Sequence, residues 1–249
     1  MKYKALILDL DGTTIPNIIE ALPSEKVTQA IHKAKNKIHI SVATGRPLFI
    51  AEKILSHLDL SGPCILNNGT QLYDPTTKTM IKETAHDKEA VTKIIDIFQK
   101  YNVKFGIFDG NDDTDFDKNT IPEKILSIYA PDVAPDKVDE IVSELNKIPH
   151  VIGQKIKSWN DGFISIDVTH IDATKLHGIV EIKKLLHLKQ EEIIGVGDSY
   201  NDFPLLMACG LKIAMGNAVP ELKAIADFIA PSVEEDGVAT VIEKFILNS

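Results

Sequence analysis

Cysteine is scarce in this sequence, since only Cys64 and Cys209 occur among its 249 residues. The two lie far apart, in apolar surroundings, and lack the spacing of paired metal ligands, so we expect buried thiols rather than a disulfide. A reducing compartment fits this expectation. The first residues, Met1-Lys2-Tyr3-Lys4, lead directly into a short apolar run without the length or cleavage site of a signal peptide. We therefore expect a cytoplasmic protein.

Long apolar runs and clusters of positive charge are also missing. No stretch approaches the roughly 20 apolar residues that a membrane span requires, so we expect no membrane partner. The formal net charge is −9, and this balance opposes nucleic-acid binding, which needs clustered lysine and arginine. The same balance is unfavourable for an anionic substrate, so any such substrate requires a local positive site.

The sequence does contain two carboxylates at the end of its first apolar run. Ala5-Leu6-Ile7-Leu8 is followed by Asp9-Leu10-Asp11-Gly12-Thr13-Thr14. If the run is a buried strand, Asp9 and Asp11 point to the same side, and Gly12 turns the chain out of the sheet. Like charges that close need a neutralising cation such as Mg²⁺. Asp and Gly after a strand also form simple tight turns, so this segment alone leaves both interpretations open.

Three further segments favour a functional interpretation. The apolar run at 38–43 ends in Thr44-Gly45-Arg46, and the run at 193–196 ends in Gly197-Asp198-Ser199-Tyr200-Asn201-Asp202. Thr174-Lys175 begins a helix-like segment between them. In open parallel α/β sheets the carboxyl ends of the strands line the ligand crevice. The sequence therefore predicts that these polar groups meet at one edge of a sheet.

The pattern of strands and helices changes twice along the chain. Residues 1–83 and 173–249 alternate strand and helix, which predicts an α/β core with a parallel sheet. Residues 84–172 read as two helices and two pairs of strands in the order αββαββ, which predicts an α+β segment with an antiparallel sheet. Such an insertion is typical of a cap domain over a site at the strand ends.

The four polar segments, in this order and spacing, resemble the motifs of the haloacid dehalogenase-like hydrolase superfamily, and within it the Cof-type sugar-phosphatase branch with a type IIB cap. The resemblance implies a Rossmann-like core formed by 1–83 and 173–249, with a specificity cap at 84–172. One departure is that the family commonly has Gly directly after the motif lysine, whereas here Leu176 follows Lys175 and Gly178 comes later.

The resemblance also implies roles for the acidic residues. Asp9 is expected to be the nucleophile that forms an aspartyl-phosphate, and Asp11 the group that acts first as acid and then as base. Mg²⁺ is expected to bind Asp9, the Asp11 carbonyl and Asp198. Asn201 and Asp202 are expected to be supporting or direct ligands, with the choice between them left open.

Phosphate binding is expected from the Thr44 hydroxyl, the Gly45 N–H and the Lys175 cation. Arg46 either reaches the substrate or cap, or is an exposed residue at a helix start. Asn68 either lines the entrance or belongs to a simple turn.

Three other segments have a structural and a functional interpretation. Met215-Gly216-Asn217 is expected mainly to pack and turn. The acidic segment from Asp109 to Asp117 is expected to be a solvated loop rather than a second cation site. Trp159 either stacks on a sugar ring or packs at the surface of the cap.

The resulting hypothesis is a Mg²⁺-dependent phosphatase acting on a small phosphorylated metabolite, such as a sugar phosphate or phosphoglycolate. The same motifs also serve phosphomutases and other phosphotransferases, in which a second hydroxyl replaces water as acceptor. A non-catalytic sensor of a phosphorylated ligand is the contrasting hypothesis. It predicts the loss of a chemical residue, yet Asp9, Asp11, Lys175 and Asp198 are all present.

Overall fold

The computed structural model describes residues 2–117 and 119–248. Its strands in chain order are β1 (Ala5–Leu8), β2 (His39–Val42), β3 (Cys64–Leu66), β4 (Gln71–Asp74), β5 (Thr79–Glu83), β6 (Gly106–Phe108), β7 (Asp113–Asp115), β8 (Ser127–Val133), β9 (Val151–Lys157), β10 (Ile164–His170), β11 (Ile193–Gly197), β12 (Leu211–Ala214) and β13 (Phe228–Ile229). Its α-helices are α1 (Glu25–Ala34), α2 (Leu48–His57), α3 (Lys88–Lys100), α4 (Pro135–Leu145), α5 (Lys175–Leu185), α6 (Phe203–Met207), α7 (Pro220–Ile225) and α8 (Gly237–Ile242).

The central sheet is parallel, with strand order β13-β12-β11-β1-β2. All four residues of β1 are buried, because this strand lies inside the sheet and both of its faces are covered. Leu8 pairs with Val42 of β2 and with Val196 of β11. The three neighbouring strands therefore end at the same level, and the polar segments that follow them start from one edge.

Helix α1 of this core begins at a capping residue. Ser24 precedes α1 as its N-cap, with Oγ accepting a hydrogen bond from the Val27 N–H at 3.1 Å. Strands β3, β4 and β5 form a small antiparallel sheet. A parallel bridge between Ala43 and Ile65 links this sheet to the end of β2. Strands β4 and β5 form a hairpin around Pro75.

A second large sheet is antiparallel, with strand order β7-β6-β8-β10-β9. Together with α3 and α4 it is called the cap below. Its buried apolar cluster lies within 90–168, whereas that of the parallel core lies within 3–73 and 179–246. Each of the two large sheets therefore has its own hydrophobic core. The predicted fold class, a parallel α/β core with an inserted α+β cap, is confirmed, while the exact boundaries at 83 and 172 stay a prediction.

The order αββαββ predicted for the cap omits one strand. Asp113-Thr114-Asp115 forms the edge strand β7, which pairs antiparallel with β6, so the prediction of a solvated loop over all of 109–117 is wrong. The three residues are polar and exposed. They therefore lack the apolar alternation by which a strand is recognised in sequence.

Both cysteines are free and buried, as expected. Burial raises the pKa of the Cys64 thiol to about 11 and that of the Cys209 thiol to about 12. Each thiol stays protonated at neutral pH and is a poor nucleophile. Among the helices of residues 2–117 and 119–248, none is long and apolar enough to cross a membrane.

Candidate active site

Three buried carboxyl groups meet at the carboxyl edge of the parallel sheet. Asp9 follows β1, Asp198 follows the neighbouring β11, and Asp202 ends the short helical turn at 200–202. One carboxylate oxygen from each lies within 4.8 Å of the others. The predicted convergence of these segments is therefore present in the structure.

Lys175 connects two of these carboxylates. Its Nζ donates to Asp9 Oδ1 and to Asp202 Oδ1, each at 2.6 Å, and its side chain is only 1% exposed. Leu176 directly after the lysine does not prevent this contact. Gly178 instead faces β3, where a Cβ would lie 2.6 Å from Ile65 Cγ1, so a glycine here permits the close approach of α5.

The charges in this cluster do not balance. Burial, and then Asp202, raise the pKa of Asp9 well above its usual range. Burial, and then Asp202, also raise the pKa of Asp198 to about 7. Although burial alone lowers it, Asp202 and Asp9 raise the pKa of Lys175 above its ordinary value. One cation thus faces three carboxylates, and a further positive charge is required to keep them all ionised.

The donor set fits a hard divalent cation such as Mg²⁺, which prefers carboxylate and carbonyl oxygens. Asp202 is already occupied by protein donors, since Oδ1 accepts from Lys175 and Oδ2 accepts from the N–H groups of Asp198 at 2.8 Å and Ser199 at 3.0 Å. In contrast, Oδ2 of Asp9 receives no donor among the hydrogen bonds of the described residues. Asp9 and Asp198 therefore have the greater capacity to bind a cation.

Gly12 brings the first polar loop against Asp198. Its φ is +74°, and a Cβ at this position would lie 2.3 Å from Asp198 Oδ2. Asn217 reinforces this approach, since its Nδ2 donates to the Gly12 carbonyl at 2.7 Å. Asn217 was expected mainly to pack and turn, and it also connects two loops of the site.

Arg46 forms a buried ion pair with Asp11. Its Nε donates to Asp11 Oδ2 at 2.8 Å and its Nη2 to Oδ1 at 2.5 Å, while the remaining donors reach the carbonyls of Ile18 and Ile19. Arg46 is 3% exposed. The alternative of an exposed arginine at the start of α2 is therefore wrong. Such a two-point contact fixes the orientation of the carboxyl group.

The two residues before Arg46 occupy different positions. Gly45 lines the cavity described below. Thr44 is fully buried, does not line that cavity within the described part of the chain, and accepts the Arg46 N–H on its Oγ1 at 3.0 Å. The expected contact of the Thr44 hydroxyl with phosphate stays a prediction.

Asn68 links the core to the cap. Its Nδ2 donates to Asp167 Oδ2 of β10 at 2.7 Å, and its Oδ1 accepts from Asn201 Nδ2 at 2.9 Å. Its backbone has a φ of +56°, a left-handed conformation that asparagine tolerates well. Asn68 also lines the cavity, so the interpretation as a simple turn is incomplete.

Asp167 was not predicted as a site residue. Ile166 and Val168 beside it are fully buried in the cap core, so their alternation places Asp167 on the opposite face of β10. In a sheet with one solvent-exposed face, this alternation predicts that the Asp167 carboxylate is solvated. Here that face covers the active site, and Asp167 is only 4% exposed. The signal was the alternation of apolar and polar residues along β10, in which Asp167 occupies a polar position.

A cavity of about 280 Å³ lies between the strand ends of the core and the cap sheet. Asp9 and Asp11 line its core side, and Tyr129, Asp167 and Trp159 line its cap side. Trp159 is 50% exposed, so it is available to a ligand as well as to the cap surface. The volume suits a small metabolite.

Comparison with known proteins agrees with this geometry. The family profile described as haloacid dehalogenase-like hydrolase matches residues 6–125 and 109–242. The chain is 27% identical over 248 residues to the 5-amino-6-(5-phospho-D-ribitylamino)uracil phosphatase YcsE of Bacillus subtilis, covering 98% of this chain and 96% of that protein. It is 26% identical to a phosphoglycolate phosphatase of Staphylothermus marinus, covering 96% of this chain and 95% of that protein.

Solved structures show the same fold. A haloacid dehalogenase-like hydrolase from B. subtilis has a TM-score of 0.85 at 21% identity, covering 97% of this chain and 99% of that one. The subclass IIB sugar phosphatase BT4131 has a TM-score of 0.81 at 23% identity, covering 97% and 98%.

The chain therefore belongs to the haloacid dehalogenase-like hydrolase family, and the predicted resemblance is confirmed. It is an enzyme of a hydrolase family whose fold, including the cap, is shared with a subclass IIB sugar phosphatase.

Proposed function

We propose that this protein is a Mg²⁺-dependent phosphatase that hydrolyses the monoester of a small phosphorylated metabolite through an aspartyl-phosphate. The observation that carries the proposal is the position of Asp9. Its carboxylate lies at the core end of the cavity, is held by Lys175 and adjoins Asp198. Relatives that match nearly the whole chain and are named phosphatases support it.

Asp9, Asp198 and the main-chain carbonyl of Asp11 are proposed to hold Mg²⁺. Bound there, the ion would neutralise the repulsion between carboxylate and phosphate and polarise the phosphoryl group. Asp202, whose oxygens accept from Lys175 and two N–H groups, is proposed to order the loop rather than to bind the ion directly. Asn201 then becomes the stronger candidate for a direct or water-mediated ligand.

The reaction is proposed to use two carboxyl groups in sequence. Asp9 attacks the phosphorus with one of its carboxylate oxygens, and the bond from phosphorus to the leaving oxygen breaks. Asp11 gives a proton to that leaving oxygen, then takes one from the water that attacks the aspartyl-phosphate. Arg46 holds the ionised Asp11 carboxyl by both of its oxygens, so one of the two contacts has to open when Asp11 carries the proton. Inorganic phosphate and free Asp9 are the products.

The transferring phosphoryl oxygens are proposed to meet the Gly45 N–H and the Lys175 cation, with Thr44 as a third donor. These groups supply the local positive site that a chain of net charge −9 needs. Residues 84–172 are proposed to form the cap that excludes water and selects the leaving group. The two buried free thiols fit a cytoplasmic location.

The test is phosphate release from a panel of sugar phosphates, phosphoglycolate, nucleotides and p-nitrophenyl phosphate, with Mg²⁺ or with EDTA. We expect metal-dependent release that Asp9→Asn lowers by at least about a thousandfold, because the nucleophile is removed. Asp96→Asn, which makes the same chemical change on the exposed face of α3, serves as control and should keep wild-type activity. Turnover retained in Asp9→Asn would refute the nucleophile. No release from any compound would instead favour a phosphotransferase that requires an acceptor.

A further inference from the structure

The cap end of the cavity carries carboxyl groups that the proposed reaction does not use. Asp167 and Asp113 both line the cavity, together with Tyr129. Asp167 is almost fully buried and Asp113 belongs to the edge strand β7. Burial of a carboxyl group costs free energy. A buried carboxyl group that lines a ligand cavity and takes no part in the reaction therefore indicates a role in binding the ligand.

These carboxyl groups lack basic partners. Burial raises the pKa of Asp167 to about 7, with Asp113 acting in the same direction and the Asn68 hydrogen bond against it, and no cation in the described part of the chain lowers it. Although Asp113 is exposed at the sheet edge, partial desolvation by the surrounding chain raises its pKa, with Tyr129 acting against this rise and Asp115 adding to it. Among the described residues neither carboxyl group forms an ion pair within 4.0 Å of a lysine, arginine or histidine nitrogen. The leaving-group end of the cavity is therefore electronegative.

The basic side chains that line the cavity serve its other end. Arg46 is paired with Asp11. Lys157 acts on Asp198, whose pKa it lowers in opposition to burial. A phosphoryl group at Asp9 is thus met by positive charge, whereas the part of a substrate that lies beside Asp167 and Asp113 is met by carboxyl groups.

The acceptors are held in fixed positions. The Asn68 amide donates to Asp167 and is itself oriented by Asn201. The Tyr129 side chain crosses over Gly106 of β6, where a Cβ would be 2.3 Å from its hydroxyl oxygen. Burial and the nearby Asp113 raise the pKa of Tyr129. Because a carboxylate accepts up to four hydrogen bonds, Asp167 can accept further donors from a ligand.

We infer that the cap selects a leaving group that is neutral or cationic and rich in hydrogen-bond donors, such as a polyol or amino-polyol, and rejects one that carries a carboxylate. Asp167 is the principal specificity residue. This inference rests on the proposed function, since it takes Asp9 as the end where phosphate binds. Phosphoglycolate, which names one of the relatives, is accordingly a poor ligand, because its carboxylate would face Asp167 without a cation between them.

Three two-carbon phosphates that differ only at the far end test the inference: 2-phosphoglycolate, 2-hydroxyethyl phosphate and 2-aminoethyl phosphate. Their binding to Asp9→Asn with Mg²⁺ is measured by calorimetry, so the result does not depend on turnover. The assay is run at about pH 8, where Asp167 is ionised. We expect the hydroxyl and amine compounds to bind at least about tenfold more tightly than phosphoglycolate.

Adding Asp167→Asn to the Asp9→Asn protein should reduce this preference by at least about tenfold, because the amide removes the negative charge and retains the shape. Asp113→Asn is a second variant with the same expected direction. Asp96→Asn, equal in charge change but outside the cavity, should keep the preference.

Two results would overturn the inference. One is phosphoglycolate binding as tightly as the other two compounds, and the other is a preference unchanged by both Asp167→Asn and Asp113→Asn. Phosphate release from p-nitrophenyl phosphate by the wild-type enzyme is measured separately. Its absence would count against the proposed function even where the binding preference is observed.

Discussion

Replacing Lys175 by methionine tests whether its cation holds the carboxylate cluster together. The methionine side chain has a similar length and no charge, so the change removes two hydrogen bonds of 2.6 Å to Asp9 and Asp202 with little change in volume. Asp9 and Asp202 then face each other, buried and without their common partner. Removal of one member of a buried ion pair leaves an uncompensated charge, which is more costly than the pair is favourable.

The expected loss in the free energy of unfolding is about 3 to 5 kcal/mol, the range observed when buried ion pairs are broken. For a chain of this size each kcal/mol lowers the melting temperature by roughly 2 to 4 °C, so the decrease should be about 6 to 20 °C. Part of the cost can be relieved if Asp9 takes up a proton, since its pKa is already raised by burial and Asp202. The destabilisation should therefore be smaller at low pH.

Urea denaturation in EDTA, followed by circular dichroism, measures this difference without an added cation that could replace the lysine. Lys82→Met is the matched control. Lys82 forms an exposed ion pair with Glu181 at 3.3 Å, and such pairs contribute about 0 to 1 kcal/mol. A loss below about 1 kcal/mol for Lys175→Met, equal to that of the control, would show that the cluster does not depend on the buried cation.

Two other predictions concern stability. The pKa of Asp167 is raised from 3.8 to about 7 in the folded state, so the folded protein binds this proton more tightly and stability falls as pH rises between these values. In urea melts, the stability of Asp167→Asn should therefore rise by about 2 to 3 kcal/mol relative to wild type between pH 5 and pH 8. A difference in stability that does not change with pH would contradict this prediction. Gly12→Ala should lower the free energy of unfolding by about 2 kcal/mol or more, because a Cβ meets Asp198 Oδ2 at 2.3 Å at a φ of +74°. Gly162→Ala is the control, because Gly162 has a φ of +85° but no atom of the described residues within 4 Å of the added Cβ. This variant measures backbone strain alone. Equal losses of stability in the two variants would show that the clash with Asp198 is absent.

The sequence predicted those parts of the site in which a polar group directly follows a buried strand. Asp9 and Asp198 are of this kind, because a fully apolar run identifies the strand and the strand fixes which edge the next residue reaches. Lys175 could be assigned only by resemblance, since its contact with Asp9 depends on how α5 approaches the sheet through Gly178.

Other residues required tertiary structure. Asp167 lies on a strand face that is solvated in most sheets, and only the docking of the cap makes that face the wall of a cavity. Arg46 was expected either to reach the substrate or cap or to be exposed, and its ion pair with Asp11 was not predicted because the two residues are brought together only by the tertiary fold. The strand β7 was missed because its stability depends on pairing with β6 rather than on burial of its own side chains.

The adjacent residues Asn67 and Asn68 contribute to the free energy that is needed to separate the cap from the core. Asn67 Nδ2 donates to Ser127 Oγ at 3.0 Å, and Asn68 Nδ2 donates to Asp167 at 2.7 Å, so two neighbouring amides join the core to the cap. Exchanging one neutral and one charged hydrogen bond for bonds to water costs about 2 to 4 kcal/mol in total. If these two bonds alone held the cap to the core, the form with both bonds broken would be roughly one part in thirty to one part in a thousand of the protein. These two amide contacts therefore hold the cap against the core without making its separation from the core prohibitively costly.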